Sequence, residues 1–153
     1  MRVVIQRVKS ASIIVEEKEV AKINNGYLLL VGFGHHDNPA IIEKIAEKIK
    51  KLRIFSDEAG KMNLSITEVG GEILSVSQFT LYGDITGGNR PSFTNSATAE
   101  EAGEFYRYFN ECLRNLGLSV QTGIFQAEML VSLENDGPVT IVLDSGEFKW
   151  EKS

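Results

Sequence analysis

The chain has 153 residues, 42% of them hydrophobic and 24% charged, with a net charge of −5. This is ordinary globular usage and excludes a fibrous or intrinsically disordered chain. A chain of this length closes one core, so a single domain over residues 1–153 is expected. The acidic balance argues against a protein that coats nucleic acid through many phosphate contacts, but not against one that grips a few nucleotides at a strand end.

In chain order, Met1 to Val8 alternates and carries charges, unlike the start of an export signal. Residues 3 to 15, with Val3 and Ile5 set against Gln6 and Arg7 and then Ile13 to Val15, predict a long strand or a bent strand pair. Strand patterns resume at 19 to 24 and 27 to 33, and Asn25-Gly26 between them has the composition of a two-residue hairpin turn. The apolar run Tyr27 to Val31 is far short of the ~20 residues that cross a bilayer, so no membrane span is expected.

Asn38 followed by Pro39 marks a helix start, with Ile41, Ile45, Ile49 and Leu52 at helical spacing. Lys48, Lys50, Lys51 and Arg53 on it form either a solvated face or a local basic patch. Leu52 to Phe55 leads into a short strand, and Asp57 to Lys61 is a turn. Residues 72 to 81 are rich in β-formers, with polar residues at alternate positions. The glycine-rich stretch 82 to 97 is a long loop of the functional or mobile kind.

Thr98 and Glu101 form a capping box that opens a second helix, with Ala102, Phe105, Phe109, Leu113 and Leu116 inward and Gly117 as its stop. Cys112, the only cysteine, falls on the apolar side as a buried inert thiol. With no disulfide or thiolate cluster available, a reducing, cytoplasmic compartment fits. Strands at 119 to 125, 128 to 134 and 139 to 143 finish the chain, the last two separated by a turn at Asn135 to Pro138. Two long helices after groups of strands imply an α+β fold with a mainly antiparallel or mixed, barrel-like sheet.

The common catalytic constellations are absent. His35 and His36 are adjacent, the only histidines, and fall in a strand-to-helix loop. No zinc-protease, nucleotide-loop or nucleophile-elbow motif occurs. Two segments stand out. In Ser77-Gln78-Phe79-Thr80-Leu81, alternation puts Ser77, Phe79 and Leu81 on one face and Gln78 and Thr80 on the other. Those polar side chains are either ordinary strand residues or part of a site. Asn135 to Thr140 is either a plain β-turn or something more particular, because Gly137-Pro138 offers a glycine without a side chain, a proline without an N–H, and a cis bond at only about 0.5–1 kcal/mol.

Taken together, these segments resemble the D-aminoacyl-tRNA deacylase family, which is marked by a Ser-Gln-Phe-Thr-Leu strand and an Asn-x-Gly-Pro-Val-Thr segment, here 77 to 81 and 135 to 140. Met1 to Val8, Gly60 to Asn63, Gly88 to Phe93 and Phe125 to Met129 add to the likeness, which spans essentially the whole chain. One departure is Gln126, standing where that family's Phe-Gly-Ala-x-Met stretch has glycine.

The resemblance implies a homodimer in which Ser77, Gln78, Phe79 and Thr80 of one subunit meet a cis Gly137-Pro138 of the other. The substrate it implies is the aminoacylated 3′ end of tRNA. Phe125, Ala127 and Met129 would flank the terminal adenine, and no metal or organic cofactor is called for. D-aminoacyl esters, and glycyl esters in part, would be hydrolysed as a proofreading step, and L-aminoacyl esters rejected at Gly137-Pro138.

Thr80 is expected to shape the pocket rather than attack, since neither motif carries a His, Lys or carboxylate at a fixed short distance except Asp136, with backbone N–H groups near Phe79 and Thr80 stabilising the oxyanion. Two other readings stay open: a non-enzymatic module of the same fold that binds tRNA ends or nucleic acid, and a threonine-dependent esterase acting on small substrates.

Overall fold

The computed structural model describes residues 1–148; residues 149–153 of the expected domain lie outside that range. Strand β1 (Arg2–Val15) leads into β2 (Lys18–Ile23), and after two residues the chain continues as β3 (Gly26–Gly32). Both β2 and β3 pair antiparallel with β1, with Val15 opposite Lys18 and Val8 opposite Gly26. The three therefore form one long hairpin folded at Glu16 and Glu17, whose φ angles of 49° and 65° are the left-handed pair that a two-residue hairpin turn requires.

The expected turn at Asn25-Gly26 is thus corrected, and Gly26 has another purpose. A Cβ on it would stand 1.8 Å from the carbonyl oxygen of Glu72, so only glycine lets β3 meet the parallel strand β6 (Glu72–Ser77) at this point.

Helix α1 (Pro39–Lys51) starts as the sequence predicts. The Asn38 side chain accepts the Ile41 N–H at 3.0 Å, and proline occupies the first turn. Ile42, Ile45, Ala46 and Ile49 are its buried face. A small pair, β4 (Phe55–Ser56) and β5 (Met62–Leu64), follows, with Asp57 to Lys61 turning between them. Helix α2 (Ala99–Asn115) is capped by Thr98, whose Oγ1 accepts the Glu101 N–H at 3.2 Å. Gly117 lies just past its end in the left-handed region at φ +89°, the stop that was expected. Tyr106 rather than Phe105 is the buried aromatic, its hydroxyl donating to the Ser75 carbonyl at 2.6 Å across the sheet.

Strand β7 (Ser119–Thr122) lies parallel to β6, and β8 (Leu130–Asp144) runs antiparallel along β1. Val3 pairs with Val31 on one side and Leu143 on the other, and Ile13 with Ala21 and Val131. The sheet is therefore ordered β8, β1, then β2 and β3 end to end, then β6 and β7. It curls until β2 approaches β7, where the Lys22 N–H donates to Gln121 Oε1 at 3.1 Å. This is the α+β, mixed-sheet, barrel-like fold that the sequence implies. No helix among the described residues is long and apolar enough to cross a membrane.

Two further expectations are corrected. The strand expected over 72 to 81 stops at Ser77 and tightens into a 3-10 turn over Phe79–Tyr82. Its partner β3 ends at Gly32, and the Gln78 N–H makes its bond to the Val31 carbonyl at 2.7 Å. Beyond that point no strand among the described residues remains to pair with. The strands expected at 128 to 134 and 139 to 143 are one strand, because Thr140 pairs with Gln6 and Asn135 with Val8. Residues 136 to 139 bulge from the ladder rather than reversing the chain.

The core has two layers. Val3, Ile5, Tyr27, Leu29, Val31 and Ile73 face the two helices, while Val8, Ala11, Ile13, Leu28, Leu74 and Val76 fill the inside of the curl. Because β3 is buried on both faces, its sequence runs apolar without alternation.

Candidate active site

Strands β3, β6 and β7 are parallel, and their carboxyl ends form one rim. A cleft of about 600 Å³ opens there, at the end of a sheet where ligands of α/β proteins commonly sit. Its first wall is the continuation of β6, Ser77, Gln78 and Phe79, beside Gly32 and Phe33 at the end of β3. Its second wall is the segment after β7, Phe125, Gln126, Ala127 and Met129, with Val131 of β8. The first turn of α2, through Ala99 and Ala102, closes the back.

Each wall is held by identifiable contacts. Gly32 is compressed between layers: a Cβ on it would lie 2.9 Å from the Gln78 carbonyl oxygen. Phe79 is 55% exposed yet fixed edge-to-face against Phe93, with ring centroids 5.0 Å apart. Phe125 stacks on Tyr106 at 6.1 Å and leans on α2 at Gly103, where a Cβ would come within 3.0 Å of its ring. Burial holds the Tyr106 phenol above its ordinary pKa, so it remains a donor to Ser75. The Ala127 N–H closes a turn onto the Ile124 carbonyl at 3.1 Å.

The polar equipment of the cleft is neutral. Ser77, Gln78, Ser96 and Gln126 line it, and among the described residues no Asp, Glu, His, Lys, Arg, Tyr or Cys does. Thr80, expected in the site, is exposed next to it. Its hydroxyl is taken up by a hydrogen bond from the Gln78 side chain. With the 3-10 turn beginning at Phe79, the first N–H groups of the turn, those of Phe79 and Thr80, have no partner within it.

Cys112 is only partly buried and lies away from this cleft, where burial pushes its thiol up. His35 and His36 are exposed, and the His35 ring pairs with the Thr94 carbonyl at 2.6 Å.

Gly137 and Pro138 do not line the cleft of their own chain. Both are exposed on the bulge of β8, and the bond between them is cis. Ser77, Gln78 and Phe79 therefore stand with Phe125, Ala127 and Met129, and Gly137-Pro138 stands apart. Below the bulge lies a residue that sequence reasoning passed over. Arg7, 7% exposed, donates to the carbonyls of Asp136 at 2.8 Å and Ile54 at 2.7 Å. Its place in register with Val3 and Ile5, on the apolar side of the alternation, was the available signal.

The fold and site define a class: a mixed-sheet α+β protein with a largely apolar cleft at a strand-end rim, suited to a flat ligand held by a few neutral polar contacts. A family profile described as D-Tyr-tRNA(Tyr) deacylase matches residues 4–144. The D-aminoacyl-tRNA deacylase of Listeria monocytogenes serotype 4b (strain CLIP80459) is 54% identical over 149 residues, covering 97% of this chain and 99% of that one. That of Thermosipho africanus is 56% identical over 145 residues, 95% and 97% of the two chains.

Among solved structures, one named c-Myc DNA Unwinding Element Binding Protein superposes with a TM-score of 0.89 at 40% identity, covering 94% of this chain and 98% of that one. A probable eukaryotic D-amino acid tRNA deacylase shares the fold, with a TM-score of 0.82 at 17% identity over 93% and 97% of the two chains. The chain belongs to the D-Tyr-tRNA(Tyr) deacylase family, a family of hydrolases.

Proposed function

We propose that the protein hydrolyses the ester bond of D-aminoacyl-tRNA, releasing free D-amino acid and tRNA as a proofreading step of translation in the cytoplasm. The observation that carries this reading is a cleft walled by Ser77, Gln78 and Phe79 and by Phe125, Ala127 and Met129 without an ionisable side chain among the described residues. Such a cleft has no means of activating a poor electrophile. An aminoacyl ester is already reactive, and its ribose 2′-OH is close enough to help deliver water. The protein then contributes orientation and the Phe79 and Thr80 N–H groups for the developing oxyanion. The apolar wall receives the terminal adenine.

The working unit in this reading is a homodimer, with Gly137 and Pro138 of a second copy covering the cleft. They would present backbone to the α-carbon of the ester, rejecting an L side chain and admitting D and glycyl esters. Support comes from the exposure of Gly137 and Pro138 and from β8, which pairs only with β1 among the described residues and carries Leu130 at 63% and Val142 at 70% exposure. An uncovered strand edge with exposed apolar side chains is suited to two-fold association.

A second reading, a nucleic-acid-binding module of the same fold, is favoured by the name of the relative at 40% identity. Multiple-turnover hydrolysis separates the two: with substoichiometric protein, D-aminoacyl-tRNA is deacylated to completion by an enzyme and only bound by a module.

A further inference from the structure

Among the described residues, three non-glycine residues have positive φ: Glu16, Glu17 and Gln126. The glutamates form the hairpin turn. Gln126, at φ 65°, is the third residue of the turn 124 to 127 closed by Ala127 and Ile124, the position at which such a turn favours glycine. Glutamine there opposes the local backbone preference, and an outlier of this kind points from conformation towards function.

Packing does not account for it. Gln126 is exposed, and its carboxamide makes no hydrogen bond to any described residue. It does project from a rigid base. Phe125 before it is stacked on Tyr106. Gly123 leaves the room that Met129 fills, since a Cβ there would lie 2.6 Å from the Met129 sulfur. Along the wall formed by Phe125, Ala127, Met129 and Val131, Gln126 is the one polar side chain that lines the cleft. A carboxamide offers a donor beside an acceptor, the complement of an adenine edge, where the N6 amino group donates and the neighbouring ring nitrogen accepts.

We propose that Gln126 is a specificity-determining residue of this cleft, its carboxamide accepting from the N6 amino group of the 3′-terminal adenine and donating to the adjacent ring nitrogen. The inference rests on the deacylase reading above. A glycine at this position has no side chain to make these two contacts.

The test compares D-aminoacyl-tRNA ending in adenosine with the same tRNA ending in purine riboside, which lacks the N6 amino group, on wild type, Gln126→Gly and Gln126→Glu. Wild type should lose about tenfold in kcat/KM on the purine end, the discrimination expected of a good bidentate pair. Gln126→Gly should raise KM for the adenosine end about tenfold, leave kcat within about twofold, and treat the two ends alike. Its Tm should not fall, since glycine suits the backbone there.

Gln126→Glu keeps the size and conformation of the side chain but loses the donor, and should bind the adenosine end as poorly as the glycine variant. A wild type that hydrolyses both ends equally well would overturn the role of Gln126 while leaving the deacylase reading intact. That role is equally overturned if Gln126→Gly lowers Tm and kcat together with KM unchanged. A wild type that hydrolyses neither end would remove the deacylase reading itself and this inference with it.

Discussion

The Arg7 Nε–H donates to the main-chain carbonyl of Asp136 across 2.8 Å, while its Nη1 reaches the carbonyl of Ile54 at 2.7 Å. One buried guanidinium thus ties the Gly137-Pro138 bulge to the first strand and to the chain after α1. Lysine carries a single compact ammonium and does not reproduce this fork. Arg7→Lys should lose one charge-assisted bond, about 1.5–3 kcal/mol in urea unfolding. Hydrolysis of D-aminoacyl-tRNA should fall further than the loss of folded protein explains. Wild-type stability and activity in this variant would show that the tie holds nothing in place.

A cleft whose lining within one chain has no ionisable side chain among the described residues predicts a plain pH profile. Between about pH 5 and 8, where histidine titrates, kcat/KM should show no ionisation of a protein side chain, only that of the substrate's α-ammonium group. Thr80→Ala should keep a substantial part of the activity, because the hydroxyl is exposed and engaged by Gln78. A tRNA ending in 2′-deoxyadenosine should lose most of it. A bell-shaped profile from two protein groups, or an acyl-Thr80 ester trapped by mass spectrometry, would contradict this mechanism.

Acid should destabilise the fold in part through Asp144. Burial alone would raise its pKa, but the Gly146 N–H and the Arg2 guanidinium, at 3.0 Å, outweigh it and leave the value below the ordinary 3.8. Between the folded and unfolded values the unfolded chain binds more protons. The contribution is therefore whole above the unfolded value and lost as pH falls through the folded one. Asp57, held by the Lys61 N–H, and Asp84, held by the Thr86 hydroxyl, shift the same way. Tm should drop as pH is lowered below the ordinary 3.8, and Asp144→Asn should flatten part of that drop. An identical slope in wild type and variant would exclude Asp144 from the effect.

Subunit mixing tests the shared site. A Cβ on Gly137 would lie 2.7 Å from a Val139 methyl and 2.9 Å from the Val139 nitrogen at φ +143°, so Gly137→Ala should distort the bulge. Ala127→Trp should fill the cleft. Each variant alone should be inactive. An equimolar mixture after exchange should recover about a quarter of wild-type activity, since half the dimers then carry one intact site of two. No recovery, with exchange confirmed, would argue for a site built within one chain.

The elements legible in the sequence were those with local causes. The Asn38-Pro39 and Thr98 caps and the Gly117 stop are signals read within one turn of helix, and all three stand where expected. The misread points depended on partners distant in sequence. Asn25-Gly26 has the composition of a hairpin turn, but its glycine answers to Glu72, and the actual turn uses Glu16 and Glu17, which carry no turn signature.

Residues 78 to 81 left the strand because β3 had ended beside them. Gly137-Pro138 sits within a strand because β1 continues on both sides of it. For the site, the Ser77 to Phe79 and Phe125 to Met129 segments were recognisable as motifs, but their convergence on one rim is a product of parallel pairing that no local pattern encodes. Arg7 was visible as a residue and not as a tie.

Stereospecific deacylation is tested most directly by the ratio of first-order rate constants for ester loss from one tRNA charged with the D and L forms of the same amino acid, at catalytic protein concentration. A deacylase of this specificity gives rapid loss of the D ester, partial cleavage of a glycyl ester, and an L ester that decays no faster than in buffer. Equal rates for the D and L esters, or a D ester that decays only at the buffer rate, would contradict it.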